Sequence, residues 1–356
     1  MRILLVTEAW EPGEAPGEAV HADTTVTIGL PKVGLLAPEA LPYVGNLEVV
    51  SIGIPEELVK PLACPREFIA DVEVRQAFAR RPRSAHKGLY GHVLLLGGAV
   101  GYTGAISLAT RAALRSGVGL VTTVTPEPLF PLVAGAAPEA MIHPGPATEI
   151  GSLSAGAWTA WQARMAEFNA IVLGPGMTRH RDTLALVRAV LKEFPRPVLL
   201  DADALNVLEG HPDWIARSAG PVVITPHPGE LARLLGMTVA EIQANRERAA
   251  QRAAELTGAV VVLKGAGTVV TAPGRTPAIN LTGNPGMASG GIGDVLAGLI
   301  GGFLAQGLPP FTAACAGVYL HGRAGDNAAW HKSQVGITAG DVLDELPYVF
   351  RDIGVR

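Results

Sequence analysis

From Gly91 onward, short apolar runs alternate with helical stretches, and almost every run ends on glycine, proline or aspartate. The runs are HVLLLGG, VGLVTTVT, AIVLGPG, RPVLLDADA, GPVVITPHP and AVVVLKGAG. Most are continuous rather than alternating with polar residues, so they read as strands buried on both faces. Such strands separated by helices predict an α/β fold, a mostly parallel central sheet with helices on both faces. In sheets of this kind ligands bind beyond the carboxyl ends of the strands. That is where this chain concentrates its glycine, aspartate and histidine. Helix boundaries are also marked: Thr103 starts and Gly117 stops TGAISLATRAALRSG. Thr238 and Glu241 form a capping box for a helix that Gly258 closes.

Composition narrows the alternatives. Charged residues are 17% of the chain and apolar ones 48%, which excludes disorder. With 43 glycines and 28 prolines in 356 residues, a long coiled coil is excluded too. The balance of 28 basic against 32 acidic residues offers no nucleic-acid footprint and no membrane-surface patch. Cys64 and Cys315 alone cannot build a disulfide framework or a cysteine zinc site. The opening MRILLVTEAW stops being apolar at Thr7, too early for a signal-peptide core. The apolar stretch from Val295 to Leu304 is half a membrane span, so a buried helix is expected there. A cytoplasmic location is the expectation.

Ahead of the alternating region, EPGEAPGEA (11–19) is turn-rich, and ADTTVTIG and NLEVVSIGI read as two strands. The proline-punctuated stretch that ends near His86 carries RRPR at 80–83 and reads as a solvated linker. The expected division is a small β-rich piece at 1–60, a linker at 61–86 and one large domain at 87–356.

Between Lys264 and Gly302 there are 11 glycines in 39 residues, centred on GNPGMASGGIGDVLAGLIGG (283–302). A glycine-rich loop entering a helix presents backbone N–H groups and the positive end of the helix dipole, an anion site suited to phosphate. Asp294 falls in the first turn of that helix. It could cap the helix, or act as the base that removes a hydroxyl proton for phosphoryl transfer. No G-x-x-x-x-G-K-[ST] occurs, and GGAVGYTG (97–104) has the wrong glycine spacing for a dinucleotide fingerprint. Lys264 at a strand end is a candidate point charge or an ordinary terminal lysine. His227 lies between two prolines that stiffen its backbone. In DADALN, Asp203 could cap the next helix, while Asp201 and Asn206 could orient substrate or a metal-bound water.

GGIGDVLAG resembles the signature of ribokinase-like enzymes. Five further segments narrow that resemblance: 87–122, VLGPGM (172–177), LLDADALN (199–206), ITPHPGELARLLG (224–236) and VLKGAGTVV (262–270). With GNPGMASGGIGD (283–294), these make 87–345 similar to the ADP/ATP-dependent NAD(P)H-hydrate dehydratases. The resemblance implies dehydration of hydrated NADH or NADPH at the expense of ADP or ATP, with Mg2+ neutralising the nucleotide phosphates. It implies Asp294 as base, with the N–H groups of Gly291, Ile292 and Gly293 around the transferring phosphoryl group. Ala105, Gly176, His227 and Asp294 would line the NAD(P)H-hydrate pocket. Lys264, Gly265, Ala266, Gly267 and Thr268, with Asn284, Gly286, Ser289, Gly290 and Gly293, would contact the nucleotide. No metal site built by protein ligands alone is expected. A homo-oligomer, a tetramer, is expected, and ADP over ATP.

HADTTVTIGLPKVGLL and VGNLEVVSIGIP resemble the closing segment of the NAD(P)H-hydrate epimerase domain often fused to this dehydratase. The expectation is a truncated remnant without epimerase activity, or a true start upstream of Met1. Two other functions share the Asp294 loop: a ribokinase-like kinase of a vitamin-precursor alcohol, and a non-catalytic nucleotide-binding protein.

Overall fold

Residues 3–6, 20–36, 40–59 and 66–355 are described by the computed structural model. EPGEAPGEA and Cys64 lie outside them. The chain divides into two compact units, Met1–Pro65 and Arg66–Arg356. The first holds a parallel three-stranded sheet, β1 (Ile3–Val6), β2 (Thr24–Ile28) and β3 (Asn46–Val50), with β2 central. Two of these are the expected strands; the third is the opening ILLV run. Thr25 and Thr27 are buried on β2, and the Thr25 hydroxyl donates to the Val44 carbonyl at 2.6 Å.

In the second unit a ten-stranded sheet is formed by β4 (Glu67–Phe68), β5 (His92–Leu96), β6 (Leu120–Pro126), β7 (Met141–Gly145) and β8 (Ala170–Leu173), together with β9 (Val198–Leu200), β10 (Val222–Ile224), β11 (Val260–Leu263), β12 (Thr268–Thr271) and β13 (Ala278–Asn280). Their spatial order is β4-β13-β12-β11-β10-β9-β8-β5-β6-β7. Strands β5 to β11 are parallel, and β12 runs antiparallel to both neighbours. All six apolar runs are strands. Every residue of β5, β8, β9, β10 and β11 is buried.

Side chains alternate between two cores. Val93, Leu95, Val172 and Val262 face one core, together with helices Thr103–Arg115, Ile292–Ala305, Pro310–His331 and Ala339–Asp352. Leu94, Leu96, Ile171 and Leu263 face the other, with helices Arg181–Glu193, Pro228–Leu235 and Arg246–Thr257. Both faces are therefore dry, as continuous apolar strands require.

Three expectations change in detail. The helix expected from Thr238 to Gly258 is two, Val239–Ala244 and Arg246–Thr257. Asn245 between them leaves helical geometry, and its side chain accepts the Arg248 N–H as a new N-cap. The stretch read as linker contains ordered elements of the second unit: β4 pairs with β13, and Asp71–Ala77 is a helix. Arg81 of RRPR donates to the Gly117 carbonyl at 2.6 Å and stacks over Tyr90, so that arginine is anchored. Finally, the glycine cluster is divided between two tasks. Gly298, Gly301 and Gly302 lie inside the helix Ile292–Ala305, where a side chain would meet Ala109, Val172 and Ser116. They let the helix press onto its neighbours; the loop glycines come before it.

Chain order reverses between β5 and β8. From β5 the sheet grows through β6 and β7; from β8 it grows the other way through β9, β10 and β11. Connections leaving to opposite sides open a crevice at the carboxyl ends of these two strands. Gly97–Gly98 follow β5 and Gly174–Gly176 follow β8, joined by the Gly98 N–H donating to the Pro175 carbonyl at 2.8 Å.

Candidate active site

Four elements end at one place. Strand β9 delivers Asp201, β10 leads to Thr225 and His227, β11 delivers Lys264, and helix Ile292–Ala305 begins with Asp294 in its first turn. The Lys264 ammonium donates to Asp201 Oδ1 at 2.7 Å and lies 3.8 Å from Glu230 Oε2. The Thr225 hydroxyl donates to the same Asp201 oxygen at 2.7 Å. A side chain added at Gly293 would begin 3.4 Å from Lys264 Nζ, so the ammonium stands beside the helix entrance.

One ammonium thus faces three carboxyl groups. Burial opposes the charged lysine, yet Asp201 and Glu230, with Asp294, hold Lys264 above its ordinary value. Burial pushes Asp294 up to about 7, with the Asp201 charge adding to the rise and Lys264 opposing it. Burial likewise lifts Glu230 to about 7, against the pull of Lys264.

Asp294 makes no capping hydrogen bond, although its first-turn position keeps it in the field of the helix dipole. The helix N-cap is Gly291, in the left-handed region at φ 88°, and no side chain caps it. Among the described residues nothing is hydrogen-bonded to the Asp294 carboxylate, which therefore keeps its acceptor capacity.

Asp203 also departs from simple capping. Its Oδ2 accepts the Thr178 N–H at 2.9 Å and its Oδ1 accepts Asn206 Nδ2 at 3.1 Å. Asn206 Oδ1 in turn accepts from Arg233 at 2.7 Å. Thr178 and Ala202, at φ 67° and 47°, are the positive-φ non-glycine residues among those described. Asp203 is bonded to one and adjacent to the other, so backbone strain gathers at the site.

Gly176 and Ala105 are brought together: a side chain at Gly176 would meet Tyr102 and the Ala105 methyl, the latter at 3.2 Å. His227 is half exposed and caps the helix Pro228–Leu235. Its Nδ1 accepts the N–H groups of Gly229 (3.0 Å) and Glu230 (3.4 Å), which leaves the ring proton on Nε2. Burial, then Lys264 and Arg233, lower its pKa and keep the ring neutral.

Lys264 to Gly267 form the turn of the β11–β12 hairpin, with Ala266 exposed at its tip, and Thr268 opens β12. The Thr268 hydroxyl donates to the Gly265 carbonyl at 2.8 Å. Arg246, unmarked by any motif, donates to the Leu263 and Lys264 carbonyls at 3.0 and 3.1 Å and fixes the strand end. In the glycine-rich loop, Asn284 Oδ1 accepts the Gly286 N–H. Asp326 accepts the Gly283 N–H at 2.9 Å and Asn284 Nδ2 at 3.0 Å. Ser289 and Gly290 are exposed between that anchor and the helix. Glu230, Arg246, Asp326 and Arg233 escaped sequence reasoning. Only Glu230 had a local signal, its place three residues after His227 in HPGE, the capping-box spacing.

A cavity of about 250 Å³ lies elsewhere, lined by Glu67, Arg275, Phe311 and Cys315 among others, and holds none of the site residues. Burial pushes its Cys315 thiol up to about 12, so that thiol is unreactive.

The chain matches the NAD(P)H-hydrate dehydratase family over residues 93–348. It is 45% identical over 343 residues to a bifunctional NAD(P)H-hydrate repair enzyme of Moorella thermoacetica, covering 96% of this chain and 65% of that one. The chain therefore spans about two thirds of the length of that bifunctional relative. It is 39% identical to an ADP-dependent (S)-NAD(P)H-hydrate dehydratase of Neisseria meningitidis, covering 76% of this chain and 86% of the other. A solved structure of ADP/ATP-dependent NAD(P)H-hydrate dehydratase from Bacillus subtilis, co-crystallised with ATP and Mg2+, superposes with a TM-score of 0.69 at 33% identity. It covers 81% of this chain and 98% of that one.

Proposed function

The chain belongs to the NAD(P)H-hydrate dehydratase family, and from that membership we propose that it dehydrates (S)-NAD(P)H-hydrate with ADP or ATP as phosphoryl donor. The fold is ribokinase-like, so phosphoryl transfer precedes elimination in this reading. The observation that carries it is Asp294, unbonded and lifted to about 7, in the first turn after the glycine loop and beside Lys264. A base with a pKa near the working pH is well matched to taking a hydroxyl proton.

In the proposed sequence Asp294 takes the proton of the ring hydroxyl as that oxygen attacks the terminal phosphoryl group. The N–H groups of Gly291, Ile292 and Gly293 face the charge that develops on the phosphoryl oxygens. Lys264 adds a fixed positive charge. The resulting phosphate ester is a good leaving group, and its loss with a ring proton restores the dihydropyridine. Ala105, Gly176 and His227 bound the hydrate; residues 264–268 and 284–290 bound the nucleotide.

The donor set suits a magnesium ion that arrives with the phosphates. No group of three metal-ligating side chains occurs among the described residues, and Asp201 and Glu230 already face Lys264. A hard cation that keeps most of its waters can be held chiefly by the nucleotide phosphates over the glycine-rich loop. Bound there, it would neutralise phosphate charge.

The bifunctional relatives are longer, and we carry only the dehydratase half to this chain. The described part of the first unit holds a three-stranded sheet and short helical turns, and no epimerase turnover is proposed for it. No helix of the described residues is long and apolar enough to cross a membrane. A homo-oligomer, a tetramer, and a cytoplasmic location remain part of the proposal.

The test is one assay. Purified chain, chemically hydrated NADH as an epimer mixture, Mg2+ and ADP or ATP should restore dihydronicotinamide absorbance from about half the hydrate. No recovery with either nucleotide sinks the dehydratase. Accumulation of a stable phosphorylated product instead favours a kinase, and use of both epimers faster than spontaneous epimerisation shows that the chain epimerises the hydrate as well.

A further inference from the structure

Glu230 is absent from the mechanism above, yet it lies where the two sides of the site meet. Its side chain is 5% exposed. Oε2 accepts the His227 N–H at 2.8 Å and lies 3.8 Å from the Lys264 ammonium, while Oε1 lies 3.4 Å from His227 Nε2. A single carboxylate therefore reaches the backbone and ring of the histidine and the lysine of the next strand end. The capping box itself needs only an acceptor oxygen at this position, which a glutamine amide would also supply.

We propose that Glu230 is the positioning residue that ties the substrate side of the site to the nucleotide side: one carboxylate holds His227 with Nε2 as the hydrogen-bond donor and shares the Lys264 ammonium with Asp201. The assignment of sides rests on the proposed function; the contacts do not. With Nδ1 taken by two backbone N–H groups, His227 cannot accept a proton there. It offers a donor to an acceptor oxygen such as a carboxamide or phosphate, and the base remains Asp294. Binding a phosphate draws on Lys264, which Glu230 also faces, so filling one side is felt at the other.

Glu230→Gln separates this role from capping. Glutamine keeps the bond to the His227 N–H, since either residue serves at that position, but removes the charge. The expected result is a kcat/KM for the hydrate lower by roughly 10-fold, as for a lost charged partner, with a displaced pH profile. The groups facing Glu230 that share this profile are Lys264, Asp201, Asp294, His227 and Arg233. Wild-type kinetics and an unmoved profile in the glutamine variant would reduce Glu230 to a cap.

A second readout needs no turnover. Nitrogen-15 NMR of the imidazoles should show His227 protonated at Nε2 and bare at Nδ1, with the Nε2 signal displaced in Glu230→Gln; a proton on Nδ1, or an Nε2 signal that does not move, overturns the proposal. Should the wild type fail to turn over hydrate while this displacement is found, the function is wrong and the positioning stands.

Discussion

Asp294 has its carboxylate free of hydrogen bonds among the described residues, while Asp201, nearby, accepts from both Lys264 and Thr225. Two acids of one site are thereby given different tasks: the bonded one fixes the lysine, and the unbonded one is available to reacting groups. Replacing Asp294 with asparagine keeps the shape and removes the base. Asp294→Asn should lower kcat by about 100- to 10,000-fold, the usual worth of a general base, with the nucleotide Kd little changed. Turnover within a few-fold of wild type would mean another group takes the proton. Asp294 was legible because the glycines before it have few local explanations. Glu230 and Asp326 were not, because what makes them consequential is burial against partners more than 30 residues away in Lys264 and Gly283. For Asp203 the local pattern suggested a helix cap and for Asp201 an orienting role, and only contacts with distant segments show what each one bonds.

At the level of elements, strands were the most legible feature, because a continuous apolar run bounded by glycine has few alternatives to a covered strand. Boundaries that depend on one residue were less so: Asn245 interrupts a helix whose pattern is otherwise unbroken, and β12 (TVVT) and β13 (AIN) each carry only two adjacent apolar residues, where β9 and β10 carry three. The glycines of helix Ile292–Ala305 show the same limit. In sequence they continue the phosphate loop, whereas in space Gly298 lies against the Ala109 carbonyl of helix Thr103–Arg115. Two effects then compete in Gly298→Ala. Removing a helix glycine stabilises by about 1 kcal/mol, while forcing a methyl into packed backbone costs about 1–3 kcal/mol. The contact is with backbone, which cannot swing aside, so the second should win. We expect the variant to unfold at lower denaturant concentration than wild type; a higher midpoint would show that the two helices have room to part.

For the whole molecule, the ionisable groups at the site and in the core set opposite dependences of stability on pH. Asp294 and Glu230 have folded pKa values near 7, above the ordinary carboxyl range. The native state therefore holds more protons than the unfolded one between about pH 4 and pH 7. Their contribution is complete below pH 4 and is lost as pH rises through 7. His321 works the other way. Burial lowers it to about 4 while its Nε2 bonds the Ile292 carbonyl at 3.0 Å, at the start of the Asp294 helix. Its contribution is complete above pH 6.5 and is lost as pH falls through 4. The two windows overlap with opposite sign, but two carboxyls outweigh one histidine, so wild-type stability should fall as pH rises through them, and a variant is needed to isolate Asp294. Asp294→Asn removes one carboxyl from the first set and leaves His321 alone. Without nucleotide, its Tm should exceed that of wild type by several degrees at pH 8, the gap closing as pH approaches 4. Such a gain paired with lost turnover is expected wherever a fold holds an acid away from its preferred protonation state for chemistry. Thermal melts of both proteins from pH 4 to 8 decide the matter: a gap that stays constant, or that widens toward acid, would show that Asp294 titrates as an ordinary carboxylate and carries no such strain.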